Sequence, residues 1–224
     1  MTMRGVKKIL IFLAVLAMPL QFLGQSAKGS EELLNELKKG ISSLGTSEVE
    51  FDFVARNSDG TLLLEQSGVF VAQDDSFVMS TDIIDLYCDG VSKWILDKDL
   101  LEMTVLPHDK SVNDITENPF GVLRNLDLSL YKLPKKSKVV EIDSQVLQVV
   151  TLVPKEKDPN YTSIVMTLSE STNLPVSIEY FSRGGESYFV KVNSIRSIDK
   201  KAPEYFIPGA DVLNDPELYI TDLR

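Results

Sequence analysis

The sequence predicts a mainly β chain with a few helices (α+β), folded as a half-open, strongly curved antiparallel β-barrel with helices covering the concave face. Two observations predict this class. About ten segments with apolar residues at every second position follow one another at hairpin spacing. Strands and helices do not alternate along the chain as they do where the sheet is parallel. One such sheet must fill its inside or leave an apolar cavity.

Residues 1–27 have the order of a secretory signal peptide. Three basic residues precede the unbroken apolar run Ile9–Leu16, and small residues follow at Gly24 and Ser26. Pro19 interrupts the apolar stretch, which favours a cleaved signal over a permanent membrane span. We therefore expect residues 28–224 to form a single exported domain.

The charge balance is strongly acidic. The chain has 23 basic and 33 acidic residues and a net charge of −10. Because residues 1–27 contain Arg4, Lys7 and Lys8 but no acidic residue, the net charge of residues 28–224 is −13. This charge repels nucleic acids, so no nucleic-acid partner is expected. Cys88 is the only cysteine, which excludes an internal disulfide; its apolar strand predicts a small buried residue.

The domain opens with a helix and then changes to strands. Ser30 is the expected N-cap, and apolar residues at spacings of three and four, such as Leu33 and Leu37, give the helix one apolar face. The period becomes two at Val49–Ala55, the first strand. Thr61–Ala72 is the second, and Gly68 within it predicts a bulge or a bend.

Further strands follow at short intervals, and the dipeptide Asp89-Gly90 is a strong hairpin signal among them. The next strands are expected at Phe77–Thr81, up to Cys88, through Trp94 and Leu96, and at Leu101–Leu106. Five more are expected at Val139–Ile142, Gln145–Val153, Ser163–Leu168, Pro175–Phe181 and Ser187–Ile195. A short, very apolar helix from Phe120 to about Leu130 must cover some other surface, and the tail is expected to pack as extended chain.

Residues that carry catalytic chemistry are few. His108 is the only histidine and is expected in a solvated loop, which leaves no Ser-His-Asp site, and one His with one Cys cannot hold zinc. Asp82, Asp85 and Asp89 are closely spaced but lack the pattern of a calcium loop, and turn chemistry explains Asp89. We therefore expect no enzyme activity, no cofactor and no metal site.

The strands carry more large apolar side chains than one face of a sheet needs. An ordinary packed core is one explanation; a cavity for flexible acyl chains is the other, because Met side chains adapt their shape. The candidate acyl-chain-binding residues are Phe51, Phe53, Phe70, Phe77, Met79, Trp94, Leu96, Met103, Val105, Met166, Ile178 and Tyr180.

The ordered landmarks of the chain resemble those of the periplasmic outer-membrane lipoprotein carriers, the LolA-type family. After the signal and the amphipathic helix come Gly68-Val69-Phe70-Val71, the hairpin Asp89-Gly90-Val91-Ser92-Lys93-Trp94, Met103-Thr104-Val105, Asn118-Pro119-Phe120, Leu152-Val153-Pro154-Lys155 and the ending Asp222-Leu223-Arg224. Their order over nearly the whole domain, rather than any single one, makes the resemblance.

The resemblance implies a periplasmic carrier that holds lipoprotein acyl chains in an apolar cavity and moves them from the inner to the outer membrane. It implies acylated lipoproteins as cargo, an inner-membrane ATP-driven exporter as donor, and an outer-membrane receptor or membrane as acceptor; a monomer is expected. The implied lid residues are Phe120, Leu123 and Leu126. Gln73 stands where the family has an Arg that holds the lid, and Gln offers only neutral hydrogen bonds.

Three other functions stay open at this level. The chain could be a lipid- or lipopeptide-binding envelope sensor of the same fold, a structural module with a filled interior, or a hydrolase that uses a pair of carboxylates. Transfer of bound cargo would separate a carrier from a sensor.

Overall fold

The computed structural model describes residues 27–109, 120, 123, 126–156 and 161–224. In these residues thirteen strands form one curved, unclosed sheet, which confirms the predicted fold class. The predicted signal peptide lies outside the described residues up to residue 26. Residues 121, 122, 124 and 125 of the predicted helix between Phe120 and Leu130 lie outside them too, and its last turn, Leu128–Leu130, is a 3-10 helix.

The strands match the sequence prediction closely, with two short additions, β7 and β13. They are β1 (Ser47–Arg56), β2 (Leu62–Gln73), β3 (Ser76–Thr81), β4 (Ile84–Cys88), β5 (Ser92–Asp97), β6 (Glu102–Pro107), β7 (Tyr131–Lys132), β8 (Lys138–Ile142), β9 (Gln145–Pro154), β10 (Tyr161–Ser169), β11 (Pro175–Ser182), β12 (Ser187–Ser197) and β13 (Tyr219–Asp222). Helix α1 is Ser30–Ser43, α2 is Ala210–Leu213, and Pro203–Phe206 is a 3-10 helix.

The strand order differs from a simple meander. β1 pairs with β2 on one side and with β12 on the other, so the two halves of the sheet meet at β1. The expected continuous antiparallel order is wrong at the end of the chain, where β13 pairs with β6 in parallel. The tail is therefore not simply extended, since it also contains the 3-10 helix and α2.

Helix α1 begins one residue earlier than expected. Gly29 is the N-cap, and Ser30 is a fully buried first helical residue whose Oγ has no hydrogen-bond partner. The helix start is fixed instead by backbone pairing, because Gly29 forms a β-bridge with Lys136 and the Ser30 N–H donates to the Lys135 carbonyl. The predicted apolar face is correct: Leu33, Leu34 and Leu37 are fully buried.

Gly68 marks a close approach rather than the expected bulge. The ladders on both sides of it are regular there, with partners Phe51 and Thr81. A Cβ at residue 68 would lie 2.7 Å from the Ser80 carbonyl oxygen and 2.8 Å from Cζ of Phe51. The missing side chain thus lets the Phe51 ring lie directly over β2.

The Asp89-Gly90 hairpin forms as predicted. Gly90 has a φ of 90°, and the Asp89 carboxylate accepts hydrogen bonds from the N–H groups of Val91 and Ser92, both at 2.8 Å. Only glycine adopts this φ readily, and the Asx turn joins β4 to β5.

Different segments of the chain pack on the two faces of the sheet. The inner face carries Phe51 and Phe53, and α1 packs on it in one large apolar cluster. The outer face of β5 and β6 is covered by the tail, where Val212 and Leu218 pack against a smaller cluster.

Candidate functional site

Eight of the twelve candidate acyl-chain-binding residues lie together on the inner face. Each is at most 6% exposed, and all belong to the large apolar cluster. They are Phe51, Phe53, Phe70, Phe77, Met79, Met166, Ile178 and Tyr180. They come from β1, β2, β3, β10 and β11, so the apolar surface extends over both halves of the sheet. Strand periodicity predicts the residues that share a face within each strand, and the strand pairing brings those faces together.

The other four candidates do not join them. Trp94, Leu96, Met103 and Val105 form the smaller cluster on the opposite face, with Trp94 paired to Val105 and Leu96 to Met103. Both faces of β5 are apolar because its inner face carries Ile95, which packs on the large cluster. The sequence could not show that the tail would cover the outer face, so these four residues lie outside the candidate site.

The three implied lid residues pack on the inner face. Phe120, Leu123 and Leu126 are at most 3% exposed and belong to the large cluster. The Phe120 ring lies 5.0 Å from the Phe70 ring and 5.5 Å from the Phe51 ring, measured between centroids, the latter edge-to-face. These residues lie in the connection between β6 and β7, so side chains of that connection, rather than a second sheet, cover this part of the face.

Gln73 does not lie with them. Its Oε1 accepts hydrogen bonds from the Thr46 hydroxyl and from the Lys201 N–H, both at 2.8 Å, and its Nε2 donates to the Lys201 carbonyl at 3.1 Å. It therefore joins the end of β2 to the segments before β1 and after β12.

Tyr131 and Tyr161 form a polar part of the inner face that sequence reasoning missed. The hydroxyls of Tyr131 and Tyr161 are 2.8 Å apart and buried, and the Tyr161 ring packs edge-on to Tyr180 at 6.4 Å. Complete burial raises the pKa of Tyr180 well above its ordinary value. A further tyrosine, Tyr188, stacks on the Phe53 ring. Tyr131 was missed because β7 has only two residues, too few to show a period.

The side chains that could carry chemistry are buried, packed on other residues or paired. Burial raises the pKa of the Cys88 thiol to about 11, which makes it a poor nucleophile at neutral pH. His108 is half-buried and not solvated as expected, since its ring lies edge-on to Phe77 at 6.0 Å. Asp85 pairs with Lys98 at 2.7 Å, whereas Asp89 holds its own turn.

Two features are absent from the described residues. No group of three or more His, Cys, Asp or Glu side chains there is placed to hold a metal ion. No helix in the described ranges has the length and apolar character needed to cross a membrane.

The chain was compared with known proteins. No protein-family model matches it, and no curated protein matches its sequence significantly. An uncharacterized conserved protein from Thermus thermophilus has a similar structure, with a TM-score of 0.52 at 9% identity; the alignment covers 86% of this chain and 98% of that one. The likeness is one of fold.

Less similar structures include one protein named for lipoprotein sorting and one named for the LolA superfamily. A putative outer membrane lipoprotein-sorting protein domain from Vibrio parahaemolyticus has a TM-score of 0.44 at 13% identity, covering 78% of this chain and 94% of that one. A LolA superfamily protein from Nitrosomonas europaea has a TM-score of 0.42 at 10% identity, covering 81% and 99%. LolA-superfamily proteins are thus among the structural neighbours of this chain.

Proposed function

We propose that this chain is a periplasmic carrier that binds the acyl chains of lipoproteins on the inner face of its sheet. One observation carries the proposal: Phe120, Leu123 and Leu126 cover the apolar inner face from the connection between β6 and β7. These three residues belong to no strand of the sheet, so moving them leaves its ladders intact. The same movement would expose the rings of Phe51 and Phe70, which contact Phe120.

The free energies of apolar burial favour replacement of these three covering side chains by an acyl chain. Uncovering three large apolar side chains costs about 5–9 kcal/mol, at roughly 1.5–3 kcal/mol each. One acyl chain with about fourteen methylenes gains on the order of 11 kcal/mol when it is buried, at about 0.8 kcal/mol per methylene. Burial of a single acyl chain therefore offsets the free-energy cost of uncovering the inner face. The net gain is small, so the bound chain can still be released.

The carrier role also accounts for the predicted export signal and the acidic charge. A signal over residues 1–27 would place the chain in the periplasm, where a lipoprotein with several acyl chains cannot cross water unshielded. A net charge of −13 would keep the carrier off anionic membrane surfaces between donor and acceptor. By the resemblance of its landmarks, the proposed donor is an inner-membrane ATP-driven exporter and the proposed acceptor an outer-membrane receptor or the membrane itself.

Uptake of a synthetic triacylated lipopeptide tests the proposal. Residues 28–224 would be mixed with the lipopeptide, or with the same peptide lacking its acyl chains, and examined by native mass spectrometry. We expect one lipopeptide to bind and the unacylated peptide not to bind. Absence of both complexes would contradict acyl binding and support a packed structural domain.

Transfer separates a carrier from a sensor. The loaded protein would be mixed with vesicles of outer-membrane phospholipids, and the lipopeptide remaining on the protein measured. A carrier releases its cargo to the vesicles, whereas retention of all the cargo would contradict the carrier role and favour a sensor.

A further inference from the structure

A groove on the outer face lies at the sheet edge formed by β7, β8 and β9. It has a volume of about 440 Å³, and the described residues that line it are Lys132, Leu133, Pro134, Lys136, Lys138, Val149, Thr151 and Val153. We call it the lysine groove. Its floor is the outer face of β9, because the intervening residues Val150 and Leu152 point into the inner cluster. It is therefore separate from the proposed acyl-binding face.

The strand edge beneath the groove is incomplete. β8 pairs with β9 up to Val149, and β7 pairs with it only from Val153 onward. Among the described residues, Val150–Leu152 consequently have a strand partner only on the β10 side. The chain between β7 and β8 bonds elsewhere: the Lys28 carbonyl accepts from the Ser137 N–H at 3.0 Å. The gap is about 10 Å long at the rise of a strand, so about three residues of an extended peptide could pair with β9 there while the rest lies in the groove.

The rim of the groove is positively charged in an otherwise acidic protein. Lys132, Lys136 and Lys138 are exposed, and none takes part in an ion pair within the described chain. Uncompensated lysines beside an apolar floor match a partner that carries both carboxylates and apolar side chains. The strand gap, the apolar floor and the charge thus suit one occupant, an extended acidic peptide.

We infer that the lysine groove is a docking site for an acidic, extended segment of a partner protein. A peptide fits better than a membrane surface because the site is concave and the remaining chain, with its large negative charge, repels anionic lipid. This site is independent of the acyl-binding proposal and does not require it to be correct.

The test uses a labelled peptide of about ten residues in which Glu and Val alternate, the pattern of an edge-adding strand. Its affinity for the domain would be measured by fluorescence anisotropy, with a Lys-Val peptide as the probe of opposite charge. The variant Lys132→Glu/Lys138→Glu reverses two rim charges. The control, Lys39→Glu/Lys200→Glu, makes the same change in net charge at exposed lysines of α1 and of the segment after β12.

We expect the Glu-Val peptide to bind and the Lys-Val peptide not to bind. The groove variant should weaken binding by at least about tenfold, and the control by less than about twofold. Equal weakening by both variants would show attraction to net charge alone and overturn the inference. Phosphatidylglycerol vesicles serve as a third probe. The inference would be overturned equally if only these vesicles bound in a groove-dependent way, or if none of the three probes bound.

Discussion

The side chain of Gln73 holds the backbone of Lys201 through two hydrogen bonds. Its Oε1 accepts from the Lys201 N–H at 2.8 Å, and its Nε2 donates to the Lys201 carbonyl at 3.1 Å. A third bond joins the same Oε1 to the Thr46 hydroxyl. Gln73 thus holds the end of β2, the start of β1 and the chain after β12 together.

Substitution Gln73→Ala should therefore lower stability without affecting acyl binding. Removal of these bonds leaves part-buried backbone groups of Lys201 unpaired, at a cost of about 1–3 kcal/mol. Urea unfolding would measure the free-energy change, with the exposed Gln145→Ala as control. If lipopeptide uptake fell while stability was unchanged, Gln73 would act on the lid and not as a structural tie.

The close approach at Gly68 predicts that even Ala is not tolerated there. An added Cβ meets the Ser80 carbonyl oxygen at 2.7 Å, a backbone atom that cannot turn away. We expect Gly68→Ala to destabilise the protein by about 1–3 kcal/mol. Gly40→Ala, in α1, is the matched control, since a Cβ at residue 40 would meet Leu174 Cδ2 at an ordinary contact distance of 3.5 Å. The control should be neutral or stabilising by up to about 1 kcal/mol, and equal losses would contradict the packing argument.

Glu179 predicts a pH dependence of stability. Burial raises the pKa of this carboxyl, which lies opposite Val165 and Phe189 in the ladders of β11. The folded state therefore holds the proton more tightly than the unfolded state, and stability falls as pH rises through the raised folded pKa. Glu179→Gln should raise the melting temperature at pH 7, because the neutral amide avoids the cost of burying a charge.

The same substitution should have no effect in acid. Below the ordinary pKa of 4.5 the carboxyl is protonated in both states, so Glu179→Gln and the wild type should melt together. Glu141→Gln, at an exposed site, is the control. An equal gain at both pH values would mean that the gain does not come from the buried charge.

The covering segment offers a matched pair of leucines. Leu123 is 3% exposed in the large apolar cluster, whereas Leu130 of the same connection is 59% exposed. We expect Leu123→Asp to displace the segment, increase binding of a hydrophobic dye and speed release of bound lipopeptide at least about tenfold, since a charge in an apolar cluster is strongly unfavourable. Leu130→Asp should change neither measurement. Similar release rates for both variants would contradict the assignment of a lid.

Strand periodicity predicted most of the sheet. Alternation placed Phe51 and Phe53 on one face of β1, and the Asp89-Gly90 pair predicted its hairpin, because both signals are local. The position of β12 between β1 and β11 could not be predicted in the same way. That pairing joins segments far apart in the chain, with Ser47 opposite Ser197.

The candidate site was predicted only in part, because it also depends on contacts between segments that are far apart in the chain. Which face of β5 turns inward depends on where the tail packs, and Val212 and Leu218 are distant from Trp94 in sequence. The Tyr131–Tyr161 hydroxyl pair likewise depends on the pairing of the short β7 with β9. Resemblance to a family pattern also assigned Gln73 to a lid, whereas its contacts are set by the path of the chain near Lys201.

Photo-crosslinking tests the central claim most directly. A triacylated lipopeptide with a diazirine near the end of one acyl chain would be bound to the unmodified domain, irradiated, and the labelled residues mapped by mass spectrometry. Phe70 and Val69 are neighbours on β2 that face opposite sides, the first buried inside and the second 38% exposed. We predict labelling of Phe70 and other inner-face residues such as Met166. Labelling confined to Val69 and the outer face would contradict an acyl-binding interior.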